Sequence, residues 1–471
     1  MRVMLIMPPA ENTVKFLRGW QLSPSDYGVF PPLGLLYIAT VLKKSLPEAE
    51  IKIVDCPSEK INYSRLEMII KSFSPEVVGI TSFTFCLLDI MKTAKIVKAI
   101  NSSTHICLGG PHVINFPSQT MAYPDVDSII LGEGEYVFLE LIKSLMAGSS
   151  PVDVPGLYFK NNPQAVQFAK SFVEDLDQLP ILDISFIKKE IYKSTVGKYE
   201  NIMTLLTSRG CPYQCTFCDT PIKKFRGRSI DNILEEITLR LEQGFEEIFF
   251  YDDTFNITPE RAIALSERIL KDNIKLAWSF RGRINSCTYE MLRIAKRSGC
   301  QRIHFGIETG TDYGLEELKK GITVEQIRNV FSWCRKLNIR TIADFIIGLP
   351  FERTKEDVLK NIERLISFSP DYAQFNVLQP VPGSEIYQQG LRQGVINPEA
   401  WEEFVRSPYQ GFEPPLWEAY FNRDELTKLF HLAYRKFYVR SSCIARNILS
   451  VTTYAELRRM ISGGLKILFR S

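Results

Sequence analysis

An α/β chain in two parts, a doubly wound parallel sheet of five strands followed by a partial barrel of six βα units, is predicted by three observations. Short apolar runs alternate with amphipathic stretches in two separate series, a Pro- and Gly-rich break divides the series, and the runs end on Gly, Pro, Asp or Ser. At 471 residues the chain exceeds the size at which one core stops growing, so more than one domain is required. Hydrophobic residues at 45% and charged residues at 24% give the balance of a globular protein, which excludes disordered and fibrous classes.

The first series occupies residues 1–147. Its strands are VMLIM from 3, IKIV from 51, VVGIT from 77, ICLGG from 106 and SIILG from 128, each too short for a helix. Between them LGLLYIATVLKKSL, YSRLEMIIKSF, LLDIMKTAKIVKAI and YVFLELIKSLMAG place apolar residues at helical spacing. Residues 148–200 then read as a linker with one hairpin, LYF to AVQFA across NNP. The second series, 201–390, has apolar runs starting at 202, 247, 276, 303, 341 and 372, about one βα unit apart. Six units are too few for a closed eight-unit barrel. Residues 391–471 are predicted to be helical, with Asn422 as a helix cap and a basic tail: from Arg435 onward eight Lys/Arg face Glu456 alone, in a chain of net charge +3.

No signal peptide is expected, because MRVMLIMPP reaches two prolines after a short apolar run. The longest apolar stretch, 77–91, is shorter than a bilayer span and carries Asp89. Seven of the ten cysteines are scattered (56, 86, 107, 287, 300, 334 and 443) and read as reduced thiols, which places the protein in the cytoplasm.

The other three, Cys211, Cys215 and Cys218, stand in SRGCPYQCTFCDT, directly after the first strand of the second series. Parallel α/β folds carry their chemistry at such strand ends. A structural zinc needs four ligands, and the next candidates in sequence, Cys287 and His304, are distant. A disulfide would use two. Three thiolates on a four-iron cubane leave one iron open to a small molecule.

CPYQCTFC, including Phe217, resembles the Cys-x3-Cys-x2-Cys motif of the radical S-adenosylmethionine (radical SAM) superfamily. The resemblance implies a 4Fe-4S cluster on Cys211, Cys215 and Cys218, SAM on the free iron, an external one-electron reductant of flavodoxin or ferredoxin type, and a 5′-deoxyadenosyl radical. Further segments are similar to the family's strand-end motifs. YDDTFN supplies Asp252 and Asp253 and GIETG supplies Glu308, implied to face SAM, while FRGR offers Arg281 and Arg283, and an arginine can fork onto a carboxylate such as that of SAM. Their ordinary readings are turn chemistry for the aspartates, a surface ion pair for the arginines and a paired strand carboxylate for Glu308. IIGLP and PVPGSEIY match later loops and read as backbone features.

In the first series TSFTF offers Thr81 and Ser82, GGPHVINFP offers Gly109 and Gly110, and GEGEYVFLEL offers Gly132 and Glu133. Together with PPLGLLYIA these resemble the flavodoxin-like cobalamin-binding domain of cobalamin-dependent radical SAM proteins. The likeness covers residues 1–145, and with the barrel about 1–390. One feature departs from many cobalamin proteins: Asp-x-His-x-x-Gly is absent, since His105 and His112 follow Ser103 and Gly110 at the Asp position. The cobalt would then have no histidine from that motif. Cys56, Cys86 and Cys107, spaced 30 and 21 apart, do not match the second cluster of methylthiotransferases.

The implied function is methyl transfer from methylcobalamin to an unactivated carbon or phosphorus of a small or lipid-like substrate. The alternative is a radical oxidative cyclase, similar to the anaerobic magnesium-protoporphyrin ester cyclases; a non-enzymatic cobalamin sensor or iron-sulfur scaffold stays open. AYRKFYVR is similar to cyclase and hopanoid-associated members. The tail can lie on an anionic membrane at the inner surface or pack on the barrel, two open readings. Nucleic acid is not an expected partner, because the basic residues are confined to the tail.

Overall fold

The computed structural model describes residues 1–17, 28–149, 154–160, 170–194, 197, 199, 201–441 and 443. The expected strand AVQFA and the tail beyond 443 lie outside the described residues. The chain divides into two compact units: Met1–Lys15, Pro31–Tyr192 and Pro398–Pro414 form one, while Phe16–Phe30, Lys193–Asn397 and Pro415–Ser471 form the other.

In the first unit the strands are β1 (Arg2–Met7), β2 (Glu50–Asp55), β3 (Val77–Thr81), β4 (His105–Gly109) and β5 (Ser128–Ile130). They pair in parallel in the order 2-1-3-4-5, with Val3 beside Val77 and Val77 beside His105. Helices cover both faces of such a sheet, so its strands are apolar on both sides. Helices α1 (Leu33–Ser45), α2 (Tyr63–Phe73), α3 (Leu87–Ile100) and α4 (Glu135–Met146) supply that cover. One face packs Met4, Ile6, Val78, Ile80, Ile106 and Leu108 against Leu66, Ile70, Ile90, Ala94 and Val97. Each fully buried aliphatic side chain there contributes about 1.5–3 kcal/mol. A sixth strand, β6 (Leu157–Phe159), joins antiparallel to β5. This LYF segment, expected as the first half of a hairpin whose second half lies outside the described residues, extends the sheet and covers an edge of β5 that would otherwise stay unpaired.

The first unit also takes in a helix encoded far downstream, Glu399–Arg406. Gln119 Nε2 donates to Glu402 at 3.0 Å, and the Tyr123 hydroxyl donates to the Val405 carbonyl. Trp401 and Phe404 are buried, Phe404 stacking on Phe412 with centroids 4.2 Å apart.

The second unit is an open, wholly parallel sheet in sequential order: β7 (Ile202–Leu205), β8 (Glu247–Phe250), β9 (Ala277–Gly282), β10 (Cys300–Glu308), β11 (Arg340–Ile347) and β12 (Tyr372–Val377). This is the predicted partial barrel of six units. Helices α5 (Ile230–Glu242), α6 (Pro259–Lys271), α7 (Tyr289–Arg297), α8 (Val324–Lys336) and α9 (Lys355–Phe368) cross between strands. All five begin on a Ser or Thr whose hydroxyl accepts the N–H three residues on, and Thr323 and Thr354 complete capping boxes with Gln326 and Asp357.

The last described long helix, α10 (Arg423–Tyr438), opens on Asn422, whose side chain accepts the Glu425 N–H at 2.9 Å. It closes the exposed edge of β12, a row of unpaired backbone groups. The Ala373 N–H donates to the Tyr438 hydroxyl at 3.1 Å and the Phe375 N–H to the Tyr434 hydroxyl at 3.3 Å. One helical turn separates the tyrosines and one strand repeat the amides, so AYRKFYVR reads structurally as an edge cover. No described helix is long and apolar enough to cross a membrane.

Candidate active site

The cysteine loop leaves β7 at its carboxyl end and is held by backbone contacts on three sides. Cys211 N–H donates to Ile222 O, Thr216 N–H to Leu318 O, and Ile386 N–H to Thr216 O. Phe217 anchors the loop in an apolar cluster with Leu318, Ile346, Leu349, Leu378, Ile386 and Trp417. Each cysteine sulfur has its own polar neighbour. Thr254 Oγ1 lies 3.5 Å from Cys211, Arg283 Nη1 donates to Cys215 at 3.6 Å, and the Thr220 N–H donates to Cys218 at 3.5 Å with its hydroxyl 3.0 Å away. A thiolate is an acceptor, and the N–H donors of Arg283 and Thr220 meet that need at Cys215 and Cys218, while the Thr254 hydroxyl donates to Asp253 O at 2.7 Å.

Among the described residues no three His, Cys, Asp or Glu side chains converge on one metal ion. Ligands of a single zinc lie about 2.3 Å from one point, whereas a cubane presents a different iron to each cysteine. The sequence candidates for a fourth ligand are engaged elsewhere. Cys287 accepts from Asn256 Nδ2 and donates to Arg283 O, both at 3.3 Å, while His304 is half-buried with its ring on Phe249 and accepts from Arg302 Nε. In the first unit burial pushes the Cys86 thiol up to about 11 and Cys107 to about 12, and raises Cys56 as well.

Asp252 was expected to face SAM, and the structure gives it an internal task. It is fully buried, accepting from the Thr207 N–H at 2.7 Å, the Thr207 hydroxyl and the Ser208 hydroxyl at 2.6 Å, so it pins the end of β7 where the loop begins. Burial raises its carboxyl despite these donors. Asp253 lies nearer the loop, accepting the Gly210 N–H at 3.2 Å. Arg281 rests on the Tyr251 ring, 4.3 Å from its centroid.

Glu308 ends β10 in the left-handed region at φ 62° and pairs with Lys320 at 3.1 Å; both are largely buried. Lys320 Nζ also sits 5.6 Å from the Phe217 centroid, linking Glu308 to the cysteine loop. Asp344, on β11, joins this group. Burial, then repulsion from Glu308, pushes its carboxyl up to about 7, with Arg281 and Lys320 pulling the other way. Thr220, Thr254, Lys320 and Asp344 were not anticipated. Asp344 carried a usable signal, an acid inside the apolar run TIADFII, whereas Lys320 in LKKG looks like a surface lysine.

In the first unit Thr81 and Ser82 close β3, and Gly109 and Gly110 close the neighbouring β4. Ser82 N–H and Oγ both donate to Gly109 O, at 2.7 and 2.8 Å, and the His112 N–H donates to Ser82 O. Gly110 has φ 115°, and a Cβ there would stand 2.8 Å from Ser82 O. Gly109 faces open space, with no atom within 4 Å of where a Cβ would be, so a ligand can reach its backbone. Gly132 and Glu133 have a different employment: a Cβ on Gly132 would stand 2.1 Å from Ser171 O, and Glu133 Oε2 accepts the Val173 N–H at 2.6 Å. Both lace the chain at 171–173 to the end of β5.

His112 is fully buried, with Nδ1 3.1 Å from Thr84 Oγ1 and the ring against Phe116. Burial lowers its imidazolium to about 4. A depressed pKa means stability present above the unfolded value of about 6.5 and lost as pH falls toward 4. Urea titrations of the wild type between pH 7 and pH 4 are expected to lose about 3 kcal/mol more than those of His112→Asn.

Comparison with known proteins agrees with this division. Residues 205–365 match the radical SAM superfamily model and residues 25–142 the B12 binding domain. Over the whole chain it is 31% identical to an uncharacterized methyltransferase of Pyrococcus horikoshii, covering 99% of that protein. The chain is a cobalamin-dependent radical SAM enzyme. It is also 28% identical to the cytidylyl-2-hydroxyethylphosphonate methyltransferase of Streptomyces wedmorensis, over 83% of this chain and 85% of that one. With the anaerobic magnesium-protoporphyrin IX monomethyl ester cyclase of Rubrivivax gelatinosus it shares 25% identity, over 94% and 80%. The fold matches that of the cobalamin-dependent radical enzyme OxsB, solved with aqua-cobalamin and SAM, at a TM-score of 0.72 and 18% identity over 98% of this chain and 70% of that one.

The cofactors of this radical SAM enzyme are therefore a 4Fe-4S cluster, SAM and cobalamin. Its substrate is a small molecule, and its cluster draws on an external reductant. The residues present fit these groups: three cysteines with sulfur-directed neighbours in the barrel, and the open backbone at Gly109 in the front unit.

Proposed function

We propose that this radical SAM enzyme methylates an unactivated carbon or phosphorus of a small or lipid-like substrate. The single observation that supports methyl transfer over ring closure is the end-to-end likeness to a protein named as a methyltransferase. When bound, the cluster with SAM supplies a 5′-deoxyadenosyl radical and cobalamin supplies the methyl group. The protein's residues hold and orient. Cys211, Cys215 and Cys218 are the cluster ligands, Phe217 fixes their loop, and Asp252 fixes the strand end beneath it. Glu308, kept in place by Lys320, accepts hydrogen bonds from SAM, and Thr81, Ser82, Gly109 and Gly110 line the cobalamin seat. We place the reaction in the cytoplasm, where a flavodoxin- or ferredoxin-type donor is available; the tail's contact with a membrane surface belongs to the same proposal.

Anoxic protein loaded with iron, sulfide and cobalamin, then given dithionite and SAM, is expected to form 5′-deoxyadenosine together with S-adenosylhomocysteine. Liquid chromatography reads both. Deoxyadenosine without homocysteine product would point to the cyclase reading, and neither product from fully loaded protein would point to a sensor or scaffold.

A further inference from the structure

We propose that Arg283 sets the reduction potential of the cluster, acting as a cationic hydrogen-bond donor to Cys215. This rests on the assignment of Cys211, Cys215 and Cys218 as cluster ligands. Among the described residues, the polar neighbours of the three sulfurs are Thr254, Thr220 and Arg283, of which Arg283 alone carries charge. Hydrogen bonds and charges at the sulfurs set cluster potentials, and a charged donor acts more strongly than a neutral one.

The guanidinium is fixed where it stands. Nε donates to Asn285 Oδ1 at 3.3 Å, Nη2 to the Lys320 carbonyl, and Cζ lies 3.5 Å from the ring centroid of Tyr213, itself part of the cysteine loop. The backbone is clamped too, with Arg283 N–H donating to Asn256 Oδ1 at 2.8 Å and Arg283 O accepting from Asn256 Nδ2 at 3.0 Å. Asn256 is fully buried. The side chain therefore cannot swing out to fork onto a SAM carboxylate without breaking these contacts, so that role gives way to donation to the Cys215 sulfur. Reduction adds one negative charge to the cluster, and a nearly buried cation beside one ligand stabilises that charge more than water would. The potential is raised, bringing the cluster within reach of a one-electron donor.

The test is a redox titration of the iron-loaded full chain, read by electron paramagnetic resonance. Arg283→Gln should raise the oxidised-to-reduced ratio at fixed potential at least tenfold, which is about 59 mV for a one-electron couple. Arg283→Lys should recover most of that shift, and Thr220→Val and Thr254→Val should move the ratio less. Tyr213→Leu, which keeps the charge but removes the ring it rests on, should shift it in the same direction by less, and it decides the matter if Arg283→Gln retains no iron. Wild-type potential in the iron-loaded variants, or Arg283→Lys shifted as far as Arg283→Gln, overturns the proposal. Wild-type protein that assembles no cubane would overturn the ligand assignment instead.

Discussion

Cys215→Ala forms no 5′-deoxyadenosine above background, and this is the largest effect expected of any single substitution. The residue lies at the centre of the loop, and its carbonyl accepts the Cys218 N–H at 3.1 Å while its sulfur meets Arg283. With Cys211, Cys215 and Cys218 as the proposed ligand set, removing this sulfur would leave two protein ligands of three, and a nearly buried cation facing a methyl group. Iron per chain after anoxic reconstitution should fall with the nucleoside. Cys86→Ala provides the contrast: burial keeps that thiol protonated, so iron content and turnover should stay near wild type. Equal loss in both variants would mean that the loop is not the ligand set.

Glu236→Ala should lower stability by about 3–5 kcal/mol, the usual cost of breaking a buried charge pair from one side. Glu236 is nearly inaccessible on α5 and bridges two buried arginines, accepting from Arg228 Nη1 and from Arg240 Nη2 at 3.0 Å. Arg228 Nη1 also donates to Leu206 O at 3.0 Å, one residue before Thr207 and the Asp252 clamp. The loss therefore lands on the strand end that launches the cysteine loop. A fall in melting temperature on the order of 10 °C is expected, accompanied by reduced iron retention. If the triple variant with Glu236→Leu, Arg228→Met and Arg240→Met recovers the melting temperature but not the iron, the arginine positions the loop rather than merely stabilising it.

Much of this was legible in sequence because it is local. Alternating apolar runs gave both sheets, and the cysteine spacing gave the loop and its place after β7. What was not legible depends on which chains meet. The LYF run looked like half a hairpin, since nothing local says that it pairs with β5. Gly132 and Glu133 looked like a ligand loop; only the fold brings Ser171 and Val173 across them. Asp252 and Arg283 stand out in the sequence as charged residues of the site, but their partners, Thr207, Ser208 and Cys215, stand 45, 44 and 68 positions away. A residue type at a strand end announces itself, while its hydrogen-bonding partner does not.

The helix Glu399–Arg406 carries a lesson about synthesis. It completes the first unit, yet it is encoded after the entire run Lys193–Asn397. At about 5–20 residues per second, the ribosome needs roughly 10–40 s to deliver those residues. The amino-terminal unit therefore waits, with Gln119 and Tyr123 still lacking Glu402 and Val405, while the barrel is translated. A gene cut between the two halves would make that wait permanent.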